Sequence, residues 1–205
     1  MPTTDRPAAT PQLGPFEVLL PPQDDARAVF EERRALVCLD VLDHDLLGKL
    51  IALCDRAAFM SDQVEGLGHR AVERPPLAST AILLALRRPD LFRWLEAVTG
   101  CAPIASVEGQ VVQTWPQAGD ELVWHDDMNY GQRRRLGVTI GLGSEDYEGG
   151  LFEMRSVPDG GPLMTFKHDR PGTALIFEVS ACCEHRVHPL TKGGPRRVFT
   201  GWFIG

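Results

Sequence analysis

The pattern of apolar and polar positions changes its period along the chain. The first third has apolar positions at helical spacing, and Asp43 precedes a run in which they recur every three or four residues, so a helix capped by Asp43 is predicted as far as Phe59. An irregular stretch is predicted over residues 61–76. Two more helices are predicted over residues 79–86 and 89–99, the second with Pro89 in its first turn and Gly100 as its stop.

After residue 105 the chain consists of short extended segments separated by turn residues. Strands are predicted over residues 107–115, 122–127, 136–142, 149–155, 163–167, 172–177 and 196–203. Many short strands at regular spacing are typical of a jelly roll, and helices that precede such strands are typical of an α+β fold. We therefore expect an α+β protein with a double-stranded β-helix (jelly-roll) core and N-terminal helices packed on one sheet.

The length of the chain limits how many domains it can form. Its 205 residues are enough for one substantial hydrophobic core and short for two. Residues 1–22 are rich in proline and threonine and lack a signal-peptide core, so they are predicted to be a flexible tail. Residues 23–205 are predicted to be a single domain, with a helical part over residues 23–104 and the jelly-roll core over residues 105–205.

Charge, cysteine content and hydropathy exclude several classes of partner. The chain carries 21 lysines and arginines against 28 aspartates and glutamates, a net charge of −7, so a nucleic-acid partner is not expected. The five cysteines are odd in number and form no metal-binding spacing, which indicates reduced thiols and a cytoplasmic location. No apolar run reaches the roughly 18 residues of a membrane-spanning helix, so no membrane partner is expected.

Two short segments carry the candidate chemistry. In Trp-His-Asp-Asp at residues 124–127, His125 and Asp127 are two apart, and such residues share one face of a strand, whereas Asp126 would point the other way. His185 and His188 lie in His-Arg-Val-His-Pro at residues 185–189 and are alternative second imidazoles. Two histidines and one carboxylate leave open positions on Fe(II) and suit oxygen activation.

The order of these motifs resembles the Fe(II)- and 2-oxoglutarate-dependent dioxygenases of the prolyl 4-hydroxylase-like type. The matching features are His-x-Asp at residues 125–127, Gly-Gly at residues 149–150 before an apolar strand, His-x-Val-x-Pro at residues 185–189, then Arg196 and Trp202. The resemblance covers residues 115–203. It implies a jelly-roll fold and a metal site of His125, Asp127 and His185, which are also the catalytic residues, and it favours His185 over His188.

The resemblance also implies the cofactors Fe(II), 2-oxoglutarate and O2, with ascorbate as a potential reductant. The far carboxylate of 2-oxoglutarate requires a cation, which the resemblance places at Arg196; the spacing leaves Arg197 as the alternative. Tyrosines that often line this pocket in the family are replaced here by Trp115 and Gly141. Thr139 lies on the face of Gly141 and could supply a hydroxyl group, so Arg196, Thr139 and Trp115 are the candidate co-substrate ligands.

The resemblance implies hydroxylation of an unactivated C–H bond with release of succinate and CO2. The substrate would be a small molecule, an amino acid or a peptide or protein side chain, walled by residues 61–76 and 128–135. Polar candidates in these walls are His69, Arg70, Arg74, Asn129 and Tyr130. One alternative is a cupin-like metal-binding jelly roll, a sensor or an enzyme without 2-oxoglutarate chemistry, in which Arg196 would have no role. Another is a structural or interaction domain with a residual site.

Overall fold

The computed structural model describes residues 10–63, 69–116, 122–128 and 133–205. The helices are α1 (Asp24–Arg33), α2 (His44–Arg56), α3 (Leu77–Leu86) and α4 (Pro89–Thr99). The strands of the N-terminal part are β1 (Gln12–Leu13), β2 (Val18–Leu19), β3 (Ala35–Cys38), β4 (Ala58–Gln63) and β5 (His69–Arg74). The later strands are β6 (Ser106–Thr114), β7 (Leu122–His125), β8 (Arg134–Gly141), β9 (Tyr147–Gly149), β10 (Phe152–Ser156), β11 (Pro162–Phe166), β12 (Ala174–Glu178), β13 (Cys183–Val187), β14 (Leu190–Gly193) and β15 (Arg196–Ile204).

Helices and two antiparallel sheets form three layers. The larger sheet has seven strands in the order β3-β12-β8-β15-β6-β5-β4, and the smaller has four in the order β11-β10-β13-β7. Apolar residues of all four helices join one face of the larger sheet in a single core cluster. A second cluster of apolar side chains lies between the two sheets. The α+β jelly-roll fold with helices packed on one sheet is confirmed.

Strand β8 shows how the alternating pattern builds these layers. Leu136, Val138 and Ile140 are at most 1% exposed and belong to the cluster that the helices cover. Gly137 faces the other way, and a Cβ atom there would lie 2.1 Å from the Phe177 ring. The small residues of this strand therefore let an aromatic ring from the neighbouring strand β12 pack directly against the sheet.

The helix signals in the sequence agree well with the observed ends. The Asp43 side chain accepts a hydrogen bond of 2.7 Å from the Leu46 amide, as expected of an N-cap. Helix α4 spans the predicted residues, and Gly100 follows it with a φ of 69°. Helix α3 begins two residues earlier than predicted, and the Glu73 carboxylate, on the strand just before it, accepts hydrogen bonds from the Ala78 and Ser79 amides.

Two parts of the N-terminal half differ from the sequence-based expectation. Helix α2 ends at Arg56 rather than Phe59, and the stretch predicted as irregular contributes to the hairpin of β4 and β5. Strand β3 lies within the third that was predicted to be helical and pairs with β12 at the sheet edge. Strand β3 pairs with the distant β12 and strand β5 with the distant β6, contributions that local spacing does not contain.

Part of the predicted N-terminal tail packs against the rest of the chain. Strands β1 and β2 form a small hairpin, and Leu13 is only 1% exposed. The Trp94 indole donates a hydrogen bond of 2.8 Å to the Pro21 carbonyl. Residues 12–22 therefore share the core of the segment that was predicted to begin at residue 23, while residues 1–9 lie outside the described part of the chain.

Candidate metal centre

Two neighbouring strands of the smaller sheet place His125 and His185 beside each other. In the antiparallel pair of β7 and β13, the two histidines are directly opposite, and their ring centroids are 4.2 Å apart. His125 Nδ1 lies 2.7 Å from the Val123 carbonyl oxygen. Since a carbonyl oxygen only accepts hydrogen bonds, Nδ1 carries the proton and Nε2 keeps its lone pair for a metal ion.

The acid of this group is Asp127, which lies two residues beyond the end of β7. Its backbone is in the left-handed region, with a φ of 62°, so a bend rather than strand alternation brings the carboxylate to the histidines. Asp127 Oδ1 lies 3.6 Å from His125 Nε2, and Oδ2 lies 3.6 Å from His185 Nε2. Asp126 instead accepts a hydrogen bond of 2.9 Å from the Met128 amide.

Two further side chains hold the Asp127 carboxylate in place. The Trp202 indole donates a hydrogen bond of 2.8 Å to Oδ2. Arg134 Nη1 lies 3.6 Å from Oδ1, and the guanidinium carbon is 3.6 Å from the centroid of the Trp202 ring. The carboxylate is therefore oriented before any ligand binds, which preorganises a metal site.

The three side chains fit a single metal ion. Their ligand atoms all lie within 4.8 Å of one another, and two neutral nitrogens with one carboxylate form the donor set of mononuclear Fe(II) sites. Burial, and then the neighbouring His125, hold the pKa of His185 well below its usual value, so this imidazole is neutral near pH 7. Phe152 stacks on its ring at a centroid distance of 5.3 Å.

A cavity of about 170 Å³ opens beside the three side chains. Apolar residues from both sheets form much of its wall, and a few polar side chains interrupt them. Among its lining residues are His125, Asp127, His185, Trp202, Phe152, Phe177, Val187, Leu190, Val198, Thr139, His168, Arg196, Trp115 and Arg70. The candidate co-substrate residues Arg196, Thr139 and Trp115 thus line the same cavity as the metal cluster.

Strand β15 separates the two arginine candidates. Arg196 shares the cavity with Trp202, which is six residues away and has the same strand parity. Arg197 has the opposite parity and donates a hydrogen bond of 2.7 Å to Asp55. The structure therefore directs Arg196, and not Arg197, into the cavity.

The Arg196 guanidinium has no acidic partner among the described residues. Its Nε is shielded from solvent without a hydrogen-bond partner, although the side chain as a whole keeps some accessible surface. The Tyr147 side chain lies near the guanidinium. Burial lowers the pKa of Arg196, and Tyr147 partly opposes this effect. An unpaired charge in such a place is costly, so the site is suited to an anion.

Beside Arg196 lies a histidine that the sequence analysis did not single out. His168 is 7% exposed, and its Nε2 is 2.9 Å from the Thr139 hydroxyl. Burial, followed by the Arg196 charge, lowers the pKa of His168 to about 3 against a smaller opposing contribution from the Thr173 backbone. The imidazole is therefore neutral over the physiological range.

Neither His168 nor Tyr147 has a signal in the sequence that points to this cavity. The Tyr147 hydroxyl donates a hydrogen bond of 2.8 Å to the His168 carbonyl, so the two residues are placed together. His168 follows β11, where no spacing links it to the other histidines. Their positions depend on how the loops return to the larger sheet.

The remaining predicted site residues are placed as follows. His188 Nε2 lies 3.0 Å from a Glu153 oxygen, outside the three-residue cluster. Arg70 lines the cavity and is paired with Asp62 at 2.8 Å, and Arg74 donates to the Glu73 carbonyl. Asn129 and Tyr130 lie outside the described residues, as does the side chain of His69.

The fold and this cluster are typical of mononuclear non-haem iron oxygenases. Residues 109–204 match the model of the 2OG-Fe(II) oxygenase superfamily. This segment belongs to that superfamily, and the resemblance drawn from the sequence is confirmed. Membership of this segment implies Fe(II), 2-oxoglutarate and O2 as cofactors and supports an oxidoreductase.

Solved structures of the same fold cover most of the chain. A 2OG-Fe(II) oxygenase family oxidoreductase from Burkholderia pseudomallei has a TM-score of 0.68 at 17% identity, covering 94% of this chain and 95% of that one. A Pseudomonas putida prolyl-4-hydroxylase has a TM-score of 0.65 at 18% identity, covering 89% and 98%. The non-heme α-ketoglutarate-dependent epimerase SnoN from nogalamycin biosynthesis has a TM-score of 0.60 at 15% identity, covering 89% and 82%. The chain matches no curated protein.

In the described part of the chain, no helix is both long enough and apolar enough to cross a membrane.

Proposed function

We propose that this protein is a 2-oxoglutarate-dependent hydroxylase that oxidises an unactivated C–H bond in a small molecule, an amino acid or a peptide or protein side chain. His125, Asp127 and His185 would bind Fe(II), and Arg196 would bind the far carboxylate of 2-oxoglutarate. Residues 23–205 would act as one domain, together with the hairpin that packs against it.

The observation that carries this proposal is the unpaired Arg196 guanidinium in the cavity of the His-Asp-His cluster. A dicarboxylic keto acid has a chelating end for the metal and an anionic end for the guanidinium. Arg196 could form two parallel hydrogen bonds with such a carboxylate, since no acid among the described residues forms an ion pair with it. A metal-binding jelly roll without keto-acid chemistry would have no use for this charge.

The metal centre, when loaded, would supply oxidative decarboxylation of the keto acid coupled to oxidation of the substrate. The chain's own residues have simpler tasks. The Val123 carbonyl holds the His125 tautomer, and the Trp202 indole holds the Asp127 carboxylate. Both constraints reduce the reorganisation needed on binding.

The cavity wall would exclude water from the reacting groups. Phe152 and Phe177 pack against the His185 ring at centroid distances of 5.3 Å and 4.6 Å. These apolar surfaces lower the local dielectric, which strengthens the attraction between Arg196 and a carboxylate. Trp115 is 38% exposed and lines the cavity, so it is placed to contact a substrate that enters from solvent.

An anaerobic titration tests the site directly. Fe(II)-loaded wild type should develop the visible charge-transfer absorption of keto-acid chelation when 2-oxoglutarate is added. Asp127→Ala and His185→Ala should bind Fe(II) weakly and lack the absorption. Arg196→Ala should weaken 2-oxoglutarate binding about 100-fold, whereas Arg197→Ala should change it less than threefold. Absence of the absorption in iron-loaded wild type, or the reverse order of the two arginine variants, would contradict the proposal.

The reaction outcome is tested by product analysis. Candidate amino acids and peptides should stimulate succinate release, and the consumed substrate should gain the mass of one oxygen atom. A substrate that stimulates succinate release but keeps its mass would indicate another oxidative outcome, such as epimerisation.

A further inference from the structure

We propose that His168 is a positioning residue for the co-substrate, which acts through the Thr139 hydroxyl on the carboxylate that Arg196 binds. This inference rests on the proposed function and assigns a role to a histidine outside the metal cluster. The carboxylate would then be held by the charge of Arg196 and by one hydrogen bond from the Thr139 hydroxyl.

The surroundings of its two ring nitrogens determine the tautomer of His168. Its Nδ1 is shielded from solvent and has no hydrogen-bond partner among the described residues. The Thr173 carbonyl lies nearby and accepts a hydrogen bond of 2.9 Å from the Gly141 amide, but it forms no hydrogen bond with Nδ1. A proton on Nδ1 would therefore be a buried unsatisfied donor, which costs more than an unused lone pair. The proton is placed on Nε2, where Thr139 Oγ1 accepts it at 2.9 Å.

The contact with His168 also determines where the hydroxyl hydrogen of Thr139 points. A hydroxyl group that accepts from His168 can use its own hydrogen for a further acceptor. Thr139 lines the cavity with Arg196, whose guanidinium lacks an anionic partner among the described residues. A carboxylate at Arg196 would be such an acceptor, so the contact with His168 prepares Thr139 to donate to it.

Gly141 has no side chain, and this leaves room for the His168 imidazole. A Cβ atom at this position would lie 3.0 Å from His168 Nδ1 and 3.2 Å from the Arg170 carbonyl oxygen. Strand β8 thus carries no side-chain hydroxyl at position 141, and the His168 imidazole, from the loop after β11, occupies the space. The Tyr147 hydroxyl holds this loop through its hydrogen bond of 2.8 Å to the His168 carbonyl.

The test compares two keto acids in anaerobic Fe(II) protein. 2-Oxoglutarate has the far carboxylate, and pyruvate has the chelating end alone. His168→Leu should weaken 2-oxoglutarate binding about tenfold, because the Thr139 hydroxyl is no longer held in position to donate to the far carboxylate, and should leave pyruvate binding unchanged. His168→Gln, which keeps an amide donor for Thr139, should remain within threefold of wild type.

A double-variant comparison tests the relay itself. Thr139→Val should weaken 2-oxoglutarate binding at least as much as His168→Leu, and the double variant should be no weaker than Thr139→Val, because His168 acts only through the Thr139 hydroxyl. Thr173→Val is the matched control, since its hydroxyl is buried without a partner and does not line the cavity. It should bind both keto acids as wild type does.

The outcomes separate this inference from the proposed function. If wild type binds 2-oxoglutarate and Arg196→Ala weakens it while His168→Leu does not, only the role of His168 is wrong. An equal loss for both keto acids, no rescue by His168→Gln, or additive losses in the double variant would also overturn it. If iron-loaded wild type binds no 2-oxoglutarate, the proposed function itself fails.

Discussion

Glu73 and Arg196 both carry a charge inside this protein, and their surroundings are opposite. Glu73 on β5 is 0% exposed, and its carboxylate accepts hydrogen bonds from the Ala78 amide and from the amide and hydroxyl of Ser79, at 2.6–2.9 Å. Arg196 on β15 faces a cavity, with one shielded nitrogen unpartnered and no acid among the described residues. The chain itself provides the hydrogen bonds that Glu73 needs, whereas no described residue provides a counterion for Arg196.

This difference indicates that Glu73 serves the stability of the fold and Arg196 serves binding. Removing a charge from water is unfavourable unless hydrogen bonds replace the lost hydration. Around Glu73 the start of α3 provides them, so the carboxylate caps the helix and joins it to the sheet. Around Arg196 the replacement must come from a bound anion. Loss of the first charge should therefore reduce stability, and loss of the second should reduce binding.

The largest effect is expected from Glu73→Leu. The substitution keeps much of the volume but leaves three buried donors without an acceptor, so the free energy of unfolding should fall by about 4 kcal/mol. Urea denaturation at pH 7 measures this loss. Glu73→Gln keeps one acceptor oxygen and should lose about half as much.

The surface control for Glu73 is Glu148→Gln. Glu148 pairs with Lys192, and its side chain is 63% exposed, so the change should stay within about 0.5 kcal/mol. If Glu73→Leu were as mild as this control, the assignment of Glu73 as a satisfied structural charge would be wrong.

A smaller effect, on binding rather than stability, is expected from Arg196→Met. Loss of the guanidinium should weaken 2-oxoglutarate binding about 100-fold, which corresponds to about 2.7 kcal/mol. The ligand-free variant should be as stable as wild type or more stable by about 1 kcal/mol, because an unpaired charge has left the interior. Thermal denaturation without ligand checks this, and a clear loss of stability would show that the chain itself satisfies Arg196.

The smallest effect concerns pH and the neutral His168 beside that charge. Its pKa is about 3 in the folded protein, below the ordinary value of 6.5, so the unfolded chain binds more protons between these values. Its contribution to stability is therefore complete above pH 6.5 and is lost as the pH falls towards 3. Between pH 7 and pH 5 the loss should be about 2 kcal/mol.

Urea denaturation of ligand-free wild type and His168→Gln at pH 5, 6 and 7 isolates this contribution. The difference in unfolding free energy between the two proteins should change by about 2 kcal/mol across this range. A constant difference would mean that His168 binds protons equally in the folded and unfolded states, as an exposed imidazole does.

The metal cluster shows how far sequence reasoning reached. His125 and Asp127 were selected by their spacing and His185 by the register of a family motif, and the structure brings all three within 4.8 Å. Strand alternation does not explain the position of Asp127. Strand β7 ends at His125, and a left-handed backbone conformation at Asp127 turns its carboxylate towards the histidines. Strand parity did separate Arg196 from Arg197, because β15 continues without a break from Arg196 to Trp202.

The sequence by itself determined the alternating strands, the caps of α2 and α4, and the residue types of the metal cluster. These are local properties, since side-chain direction and hydrogen-bonded caps depend on residues a few positions apart. Only the tertiary structure decided that the Trp202 indole orients the Asp127 carboxylate, and that His168 fills the space beside Gly141. Such contacts join residues far apart in sequence, and no local period encodes which loop returns to which strand.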